Sequence, residues 1–410
     1  MTASEISSSS GRRYKAATSS RRQSERTGKT SIEQNYILCR MQVSKPGRER
    51  VVSLFRLAIG FPLALIYGLL VRLRNGLYAK GWLPIYRVGC HVVSIGNLNV
   101  GGSGKTPFAI FLLGWLQARG LRAAYLSRGY RRTTRGYQEV NLQAPEPARL
   151  FGDEAALVKS IFPSIPVAVC ADRVAGAQTL LQRYPNLEVL VLDDAFQHRR
   201  LHRNLDILLI DADAPPWKDW LFPAGRLREP LSSYQRAHLL IYNQKNSPAP
   251  KAPRPLRRPL LRFHYIVTQA QPLFPHHPPL SPEELRYKTA LVFCGIARPE
   301  SFYQTLKTLP LHITQLLTFP DHHAYTAKDL QRLRRTYKKI QQSMHLPNLL
   351  LLTTEKDLVR LIGHPALPEL ENLPLYSVAI RMEPIDREKT FHTLQTLFMN
   401  VKDYDHTRSV

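Results

Sequence analysis

Short apolar runs of strand length alternate with helical patterns along most of the chain. Val92, Val93 and Ile95 open the series as a β-branched run. Residues 123–126, 167–170, 189–192 and 207–210 repeat the strand signal. Between them, apolar positions recur at helical spacing over 108–116 and through Ala155, Leu157, Val158 and Ile161. Strands that alternate with helices predict a mostly parallel, doubly wound α/β sheet. A second series starts at residues 289–294, with a helix near Pro299 and a charged helix over about 327–342. Strands at 349–352 and 375–380 complete a second, smaller α/β domain. Prolines are frequent from Asn246 to Pro282, which reads as a connecting region with a few extended strands. The expected partition is a basic tail (1–50), a membrane-associated helix with its lead-in (51–90), the first α/β domain (91–245), the connector (246–285), the second domain (286–400) and a tail (401–410).

Residues 57–71 form the longest apolar stretch, with Pro62 and Gly68 inside it and Arg56, Arg72 and Arg74 at its flanks. A full span needs about 20 residues. Counted from Val51, with snorkelling Arg side chains, the stretch just reaches that length. A helix lying in the interface, anchored by Arg72, Arg74, Tyr78, Lys80 and Trp82, is the equal alternative, and a buried soluble helix the bland one. No second stretch of that length exists, which excludes a multispan protein.

The 410 residues carry 57 Lys and Arg against 31 Asp and Glu, a formal charge of +26. Such a chain seeks anions: nucleic acid, an anionic membrane face or a phosphorylated substrate. Part of the excess lies in the first fifty residues, which read as a native tail, a targeting peptide or an extension before a start near Met41. Cys39, Cys90, Cys170 and Cys294 show no paired spacing and fit buried thiols in a reducing compartment.

The strongest motif follows the first strand. Gly101, Gly102 and Gly104 let the backbone curl, and Lys105 and Thr106 precede a helix. Strand, Gly-rich turn, Gly-Lys-Thr and helix form a phosphate-binding (P-loop) element. Asn99, Val100, Gly101, Gly102, Ser103, Gly104, Lys105 and Thr106 are the expected nucleotide contacts. Asn99 stands where the strict pattern has Gly, and Pro107 suits the first helical turn. Lys105 would reach the outer phosphates of ATP, and the Thr106 hydroxyl would ligate Mg²⁺. The strand 189–192 runs into Asp193 and Asp194, the carboxylate partner expected on the Mg²⁺ side. Asp153 opens a helical pattern and is, at its blandest, a cap.

Several stretches together resemble the tetraacyldisaccharide 4′-kinases of lipid A biosynthesis. They are Gly96-Asn97-Leu98 with the phosphate loop, Ser127-Arg128-Gly129-Tyr130, Gly152-Asp153-Glu154 and Ala171-Asp172-Arg173. Leu192-Asp193-Asp194-Ala195-Phe196-Gln197-His198-Arg199 and Pro223-Ala224-Gly225-Arg226-Leu227-Arg228-Glu229-Pro230 continue the series. Phe293-Cys294-Gly295-Ile296-Ala297, Asp321-His322-His323 and Thr354-Glu355-Lys356-Asp357 close it. The order is the family's, from about residue 55 to 400, and Ala195 stands where many members have Gly. The resemblance implies transfer of the ATP γ-phosphate to the 4′-hydroxyl of a tetraacylated glucosamine disaccharide 1-phosphate. It implies Asp153 as base with His322 as partner, His323 being the alternative. Lys105, Arg128, Arg173 and Arg228 would stabilise phosphate charge; Thr106, Asp193 and Asp194 would hold Mg²⁺, and Glu229 would support the metal or a neighbouring Arg. A lipid substrate, an anionic membrane surface, the cytoplasmic face of an inner membrane, a monomer and no nucleic-acid partner complete the expectation. Two rivals stand beside it. One is a P-loop GTPase or ATPase switch, for which Thr354-Glu355-Lys356-Asp357 is a near miss to a base-reading loop; the other is a nucleic-acid-binding ATPase, suggested by charge alone.

Overall fold

The computed structural model describes residues 59–244 and 258–399. The expected tails, Cys39, the lead-in before Ile59 and the proline-rich core of the connector lie outside the described residues.

α1 (Phe61–Ala79) continues past the apolar stretch and past Arg72 and Arg74. β1 (His91–Gly96) leads through the glycine loop into α2 (Lys105–Gln117) and β2 (Ala123–Ser127). β3 (Gln138–Glu139), α3 (Pro147–Phe151), α4 (Asp153–Ile161), β4 (Val167–Val169), α5 (Arg173–Arg183) and β5 (Val189–Asp193) follow. Next come β6 (Leu205–Asp211), β7 (Leu239–Gln244), β8 (Leu260–Pro272), the short α6 (Pro282–Leu285) and β9 (Thr289–Cys294). The chain continues through α7 (Pro299–Lys307), β10 (His312–Thr318), α8 (Ala327–Ser343), β11 (Leu350–Thr354) and α9 (Glu355–Leu361). It ends with β12 (Leu375–Pro384) and α10 (Arg387–Phe398). Asp172, one of the motif residues, caps α5 by accepting from the Val174 and Ala175 N–H groups. Sequence reading passed over the strands β3, β7 and β10 and the helices α3, α5, α6, α9 and α10.

All twelve strands join one sheet, in the order β10-β9-β11-β12-β8-β7-β6-β1-β5-β2-β4-β3. It is a mixed α/β sheet, mostly parallel. The strands from β8 to β4 run parallel, and so do β10, β9, β11 and β12. The two runs meet in the antiparallel pair β8–β12. The register there is offset. β7 pairs with Leu260 to His264, whereas the residues of β12 that also pair with β11 face Ala270 to Pro272. The second run is therefore displaced along β8 and points back toward the first. The carboxyl ends of the two runs face each other. In parallel α/β sheets that edge is where ligands bind.

Both faces of the first run are covered. α2 and α4 bury Phe108, Leu112, Leu113, Ala156 and Val158 on one face, and α5 buries Val174, Ala177 and Leu180 on the other. The second run has its own two clusters, around Phe293 and Leu333 and around Phe302 and Leu306. α1 presents Ile66, Leu69, Leu70 and Leu73 to solvent, each more than half exposed. Its other side is tied down: a Cβ on Gly68 would stand 2.7 Å from Leu221, and the Tyr67 hydroxyl donates to the Arg228 carbonyl at 2.7 Å. Among the described residues no helix is long and apolar enough to cross a membrane.

Gly96 ends β1 against the turn after β5. A Cβ there would lie 2.5 Å from Phe196 Cβ and 2.9 Å from its backbone nitrogen. Backbone cannot retreat as a flexible side chain can, so Gly96→Ala should destabilise by about 1–3 kcal/mol. An unchanged urea midpoint would contradict this packing.

Candidate active site

β1 lies between β5 and β6, while the connection from β1 through α2 reaches β2 beyond β5. The carboxyl end of β1 is thus a switch point of the sheet, and the glycine loop sits on it. Gly104 takes φ 90° at the helix entrance, where no side chain caps the N-terminus. A Cβ at Gly104 would stand 2.3 Å from Asn243 Nδ2, which donates to the Ser103 carbonyl at 2.8 Å. Asn243 lies in β7, and no sequence pattern marked it. The outer arm of the loop is pinned by Val100 N–H to the Arg226 carbonyl and by Arg228 N–H to the Leu98 carbonyl. Asn99 faces Leu227 across the same arm, and Val100 is exposed.

Cations and carboxylates meet beside the loop. Thr106 Oγ1 donates to Asp193 Oδ2 at 3.1 Å, and Tyr125 donates to the same oxygen at 2.7 Å. Burial pushes the Asp193 carboxyl up to about 6, with the Glu154 charge adding to it. Lys105 Nζ lies 3.5 Å from Asp194 Oδ1 and 3.4 Å from Asn97 Oδ1. Arg228 donates to Asp194 Oδ1 at 2.7 Å. Asp194 holds φ 49°, in the left-handed region that side chains rarely adopt. Burial opposes its charge, but Lys105 and Arg228 hold the carboxyl below its ordinary value.

Three expected site residues stand apart from this group. Arg173 is buried and donates to the Cys170 and Asp193 carbonyls, so it braces the floor of the site. Arg128 is exposed just beyond β2. Glu229 is buried and meets Arg236 at 2.8 Å, Arg74 at 3.7 Å and the Asn75 amide at 3.2 Å. Its partners are those of the Arg-supporting alternative, and they tie it to α1.

The second run closes the other side. Asp153 opens α4, preceded by Gly152 at φ 90°, where a Cβ would press on Tyr130 O at 3.2 Å. His322 Nδ1 lies 2.9 Å from Asp153 Oδ2. His323 instead stacks on Phe319 and meets Asp329 at 3.0 Å, so the ring that reaches Asp153 is His322. Arg360 also meets Asp153 Oδ2, through Nε at 3.0 Å and through Nη2. Lys356 pairs with Glu154 at 3.1 Å, and Arg298 with Asp211 at 2.5 Å. Burial would raise the Asp153 carboxyl. Lys356, the His322 hydrogen bond and Arg360 overcome it and hold the carboxyl far below the usual range. The Thr354 segment is a helix start: the Thr354 hydroxyl accepts from the Asp357 N–H.

Residues 57–399 match the family model described as tetraacyldisaccharide-1-P 4′-kinase. The chain belongs to the tetraacyldisaccharide 4′-kinase family. It is 34% identical over 359 residues to the tetraacyldisaccharide 4′-kinase of Phocaeicola vulgatus, covering 84% of this chain and 94% of that one. The namesake from Desulfatibacillum aliphaticivorans is 35% identical over 78% of this chain and 87% of its own. Among solved structures, the "apo" form of LpxK from Aquifex aeolicus in complex with ATP is similar at a TM-score of 0.68 and 29% identity. That match covers 85% of this chain and 99% of the other. A glycine loop, the Lys105-Thr106 pair and the acidic end of β5 on one sheet edge fit a nucleoside triphosphate. The uncapped N-terminus of α2 and the buried, unpartnered Ser103 Oγ offer further donors to phosphate.

Tyr125→Phe removes one of the two hydroxyl donors to Asp193 Oδ2. With the folded carboxyl near 6 and the unfolded one near 4, that donor matters where Asp193 is ionised. The variant should lose about 1–3 kcal/mol at pH 8 and clearly less at pH 5. Equal losses at both values, in urea titrations, would contradict the assignment.

Proposed function

We propose that the chain is a kinase that transfers the γ-phosphoryl group of ATP, with Mg²⁺, to the 4′-hydroxyl of a tetraacylated glucosamine disaccharide 1-phosphate. The observation that carries this reading is the Asp153–His322 contact at 2.9 Å, formed across the two facing strand edges beside the phosphate loop. The names of the relatives supply the substrate. Phosphoryl transfer needs positioned phosphates and a base for the attacking hydroxyl. The glycine loop and the α2 N-terminus hold the phosphates, and Lys105 reaches the outer ones. The chemistry a bound Mg²⁺ would supply is neutralisation of phosphate charge. Thr106, Asp193 and Asp194 are the residues that would hold it. Arg228 would stabilise negative charge on the transferred group, and Arg128, just beyond β2, would add to it once a substrate is bound. Arg173 keeps the end of β5 in place from behind, and Glu229 holds Arg74 and Arg236. Asp153 accepts the hydroxyl proton, and His322 orients its carboxylate. In this reading residues 91–245 and 286–400 act as two α/β domains that complete one site.

The exposed row Ile66, Leu69, Leu70 and Leu73, with Trp82 at 71% exposure beyond it, suits a helix lying in a lipid interface. The basic surface favours the anionic cytoplasmic leaflet of an inner membrane.

The decisive assay mixes protein, ATP, Mg²⁺ and the disaccharide 1-phosphate and measures product mass. One added phosphoryl group is expected, and its absence with intact, ATP-binding protein would sink the proposal. Asp153→Ala should lower turnover by about 10²–10⁴-fold. The Asp153→Ala, His322→Ala double variant should be barely worse than the worse single one. Fully multiplicative losses would separate the two residues.

For the membrane, intact protein should float with anionic vesicles in a density gradient, and deletion of residues 51–82 should abolish flotation. Intact protein that stays at the bottom of the gradient would exclude the interfacial helix.

A further inference from the structure

Arg360 is charged, nearly buried and named by no motif; its side chain is 7% exposed. It sits in α9, 207 residues along the chain from Asp153. Its guanidinium engages three groups. Nε and Nη2 meet Asp153 Oδ2, and Nη1 donates to the Gly295 carbonyl at 2.7 Å and to Asp357 Oδ1 at 2.8 Å. The Gly295 carbonyl also accepts the backbone N–H of His322 at 3.1 Å. Four residues thus form a closed ring: Asp153 to His322, His322 to Gly295, Gly295 to Arg360, and Arg360 back to Asp153. His322 holds φ 58° within it. Asp357 anchors the ring from below, accepting from the Gly295 N–H and from the Tyr325 hydroxyl, each at 3.0 Å.

We infer that Arg360 is the positioning residue of the Asp153–His322 pair: it fixes the carboxylate and, through Gly295, the backbone that aims the imidazole. The inference rests on the reading of Asp153 as base given above. A guanidinium is a planar fork that sets direction as well as charge, which an ammonium does not. Its contacts and that of His322 converge on Oδ2. The opposite oxygen, Oδ1, is left as the one to meet an acceptor hydroxyl. The groups acting on Asp153 are Arg360 and Lys356 from α9 and His322 from the loop after β10; Asp357 pairs with Arg360, Asp321 with His322 and Glu154 with Lys356. Among the described residues, Arg360 is the one cation that touches both Asp153 and the Gly295 carbonyl that His322 also contacts. It therefore keeps the base ionised and oriented.

The test compares Arg360→Ala and Arg360→Lys with Asp153→Ala in the full chain. Turnover, the KM for ATP, pH–rate profiles and thermal unfolding are measured. Arg360→Ala should lower kcat by roughly 10–100-fold, with the KM for ATP changed less than about threefold. Its acid limb should move to higher pH, because Asp153 loses a cation that favours its ionised form. Arg360→Lys should keep the wild-type acid limb but recover only part of kcat. In the Arg360→Ala, Asp153→Ala double variant, turnover should equal that of Asp153→Ala. Losses that multiply, or full activity of Arg360→Lys, would overturn the inference. If Arg360→Ala fails to fold, the lysine variant decides alone. Near wild-type turnover of Asp153→Ala would instead remove the base reading, whatever Arg360 does.

Discussion

One register offset governs the architecture of this site. β8 receives β7 on its first residues and the β11-bearing part of β12 on its last ones, in the opposite sense. An antiparallel joint without offset would send the carboxyl ends of the two runs to opposite sides. With the offset, they confront each other across a gap. Gly295, His322 and Arg360 all follow strands of the second run, and Asp153 and the glycine loop follow strands of the first. Every contact that completes the site across the gap depends on that pairing. So do the outlying ties of Arg298 to Asp211, Lys356 to Glu154 and Arg131 to the Asp321 carbonyl.

The cross-gap contacts are mostly charged, and Asp153, Arg360 and Asp357 are buried. Buried pairs add little net stability over apolar packing, yet breaking one leaves a costly lone charge. Their value here is directional. The two edges can come together in one register, because a shift would leave a buried carboxylate or guanidinium without its partner. Charge thus specifies the alignment that apolar contact alone would leave loose.

Sequence reading caught what is local. The glycine loop, Lys105 and Thr106 are adjacent in the chain, and their spacing carries their geometry. β2, β4, β5 and β6 were visible because, buried on both faces, they read as continuous apolar runs, whereas β7, just as apolar, was passed over. The parallel, doubly wound character followed from alternation. What was not legible is long-range. Asn243 closes the loop from a strand that lies 140 residues away. Arg360 follows the Thr354 motif by less than two turns of helix, yet nothing in that motif says that the turn faces Asp153. The choice of His322 over His323 depends on one left-handed backbone angle, and neighbouring histidines look alike in a sequence. Glu229 could be read either way until its three donors were seen.

A twelve-stranded sheet still has two open rims. The outermost strand on one side, β3, is only two residues long and antiparallel to its neighbour. On the other side, β10 breaks register between Ile313 and Gln315. A stub and a bulge are poor templates for a further strand, since neither offers an unbroken row of free backbone groups. Lateral accretion by a second copy is thereby blunted at both margins, although the interior strands are strongly apolar.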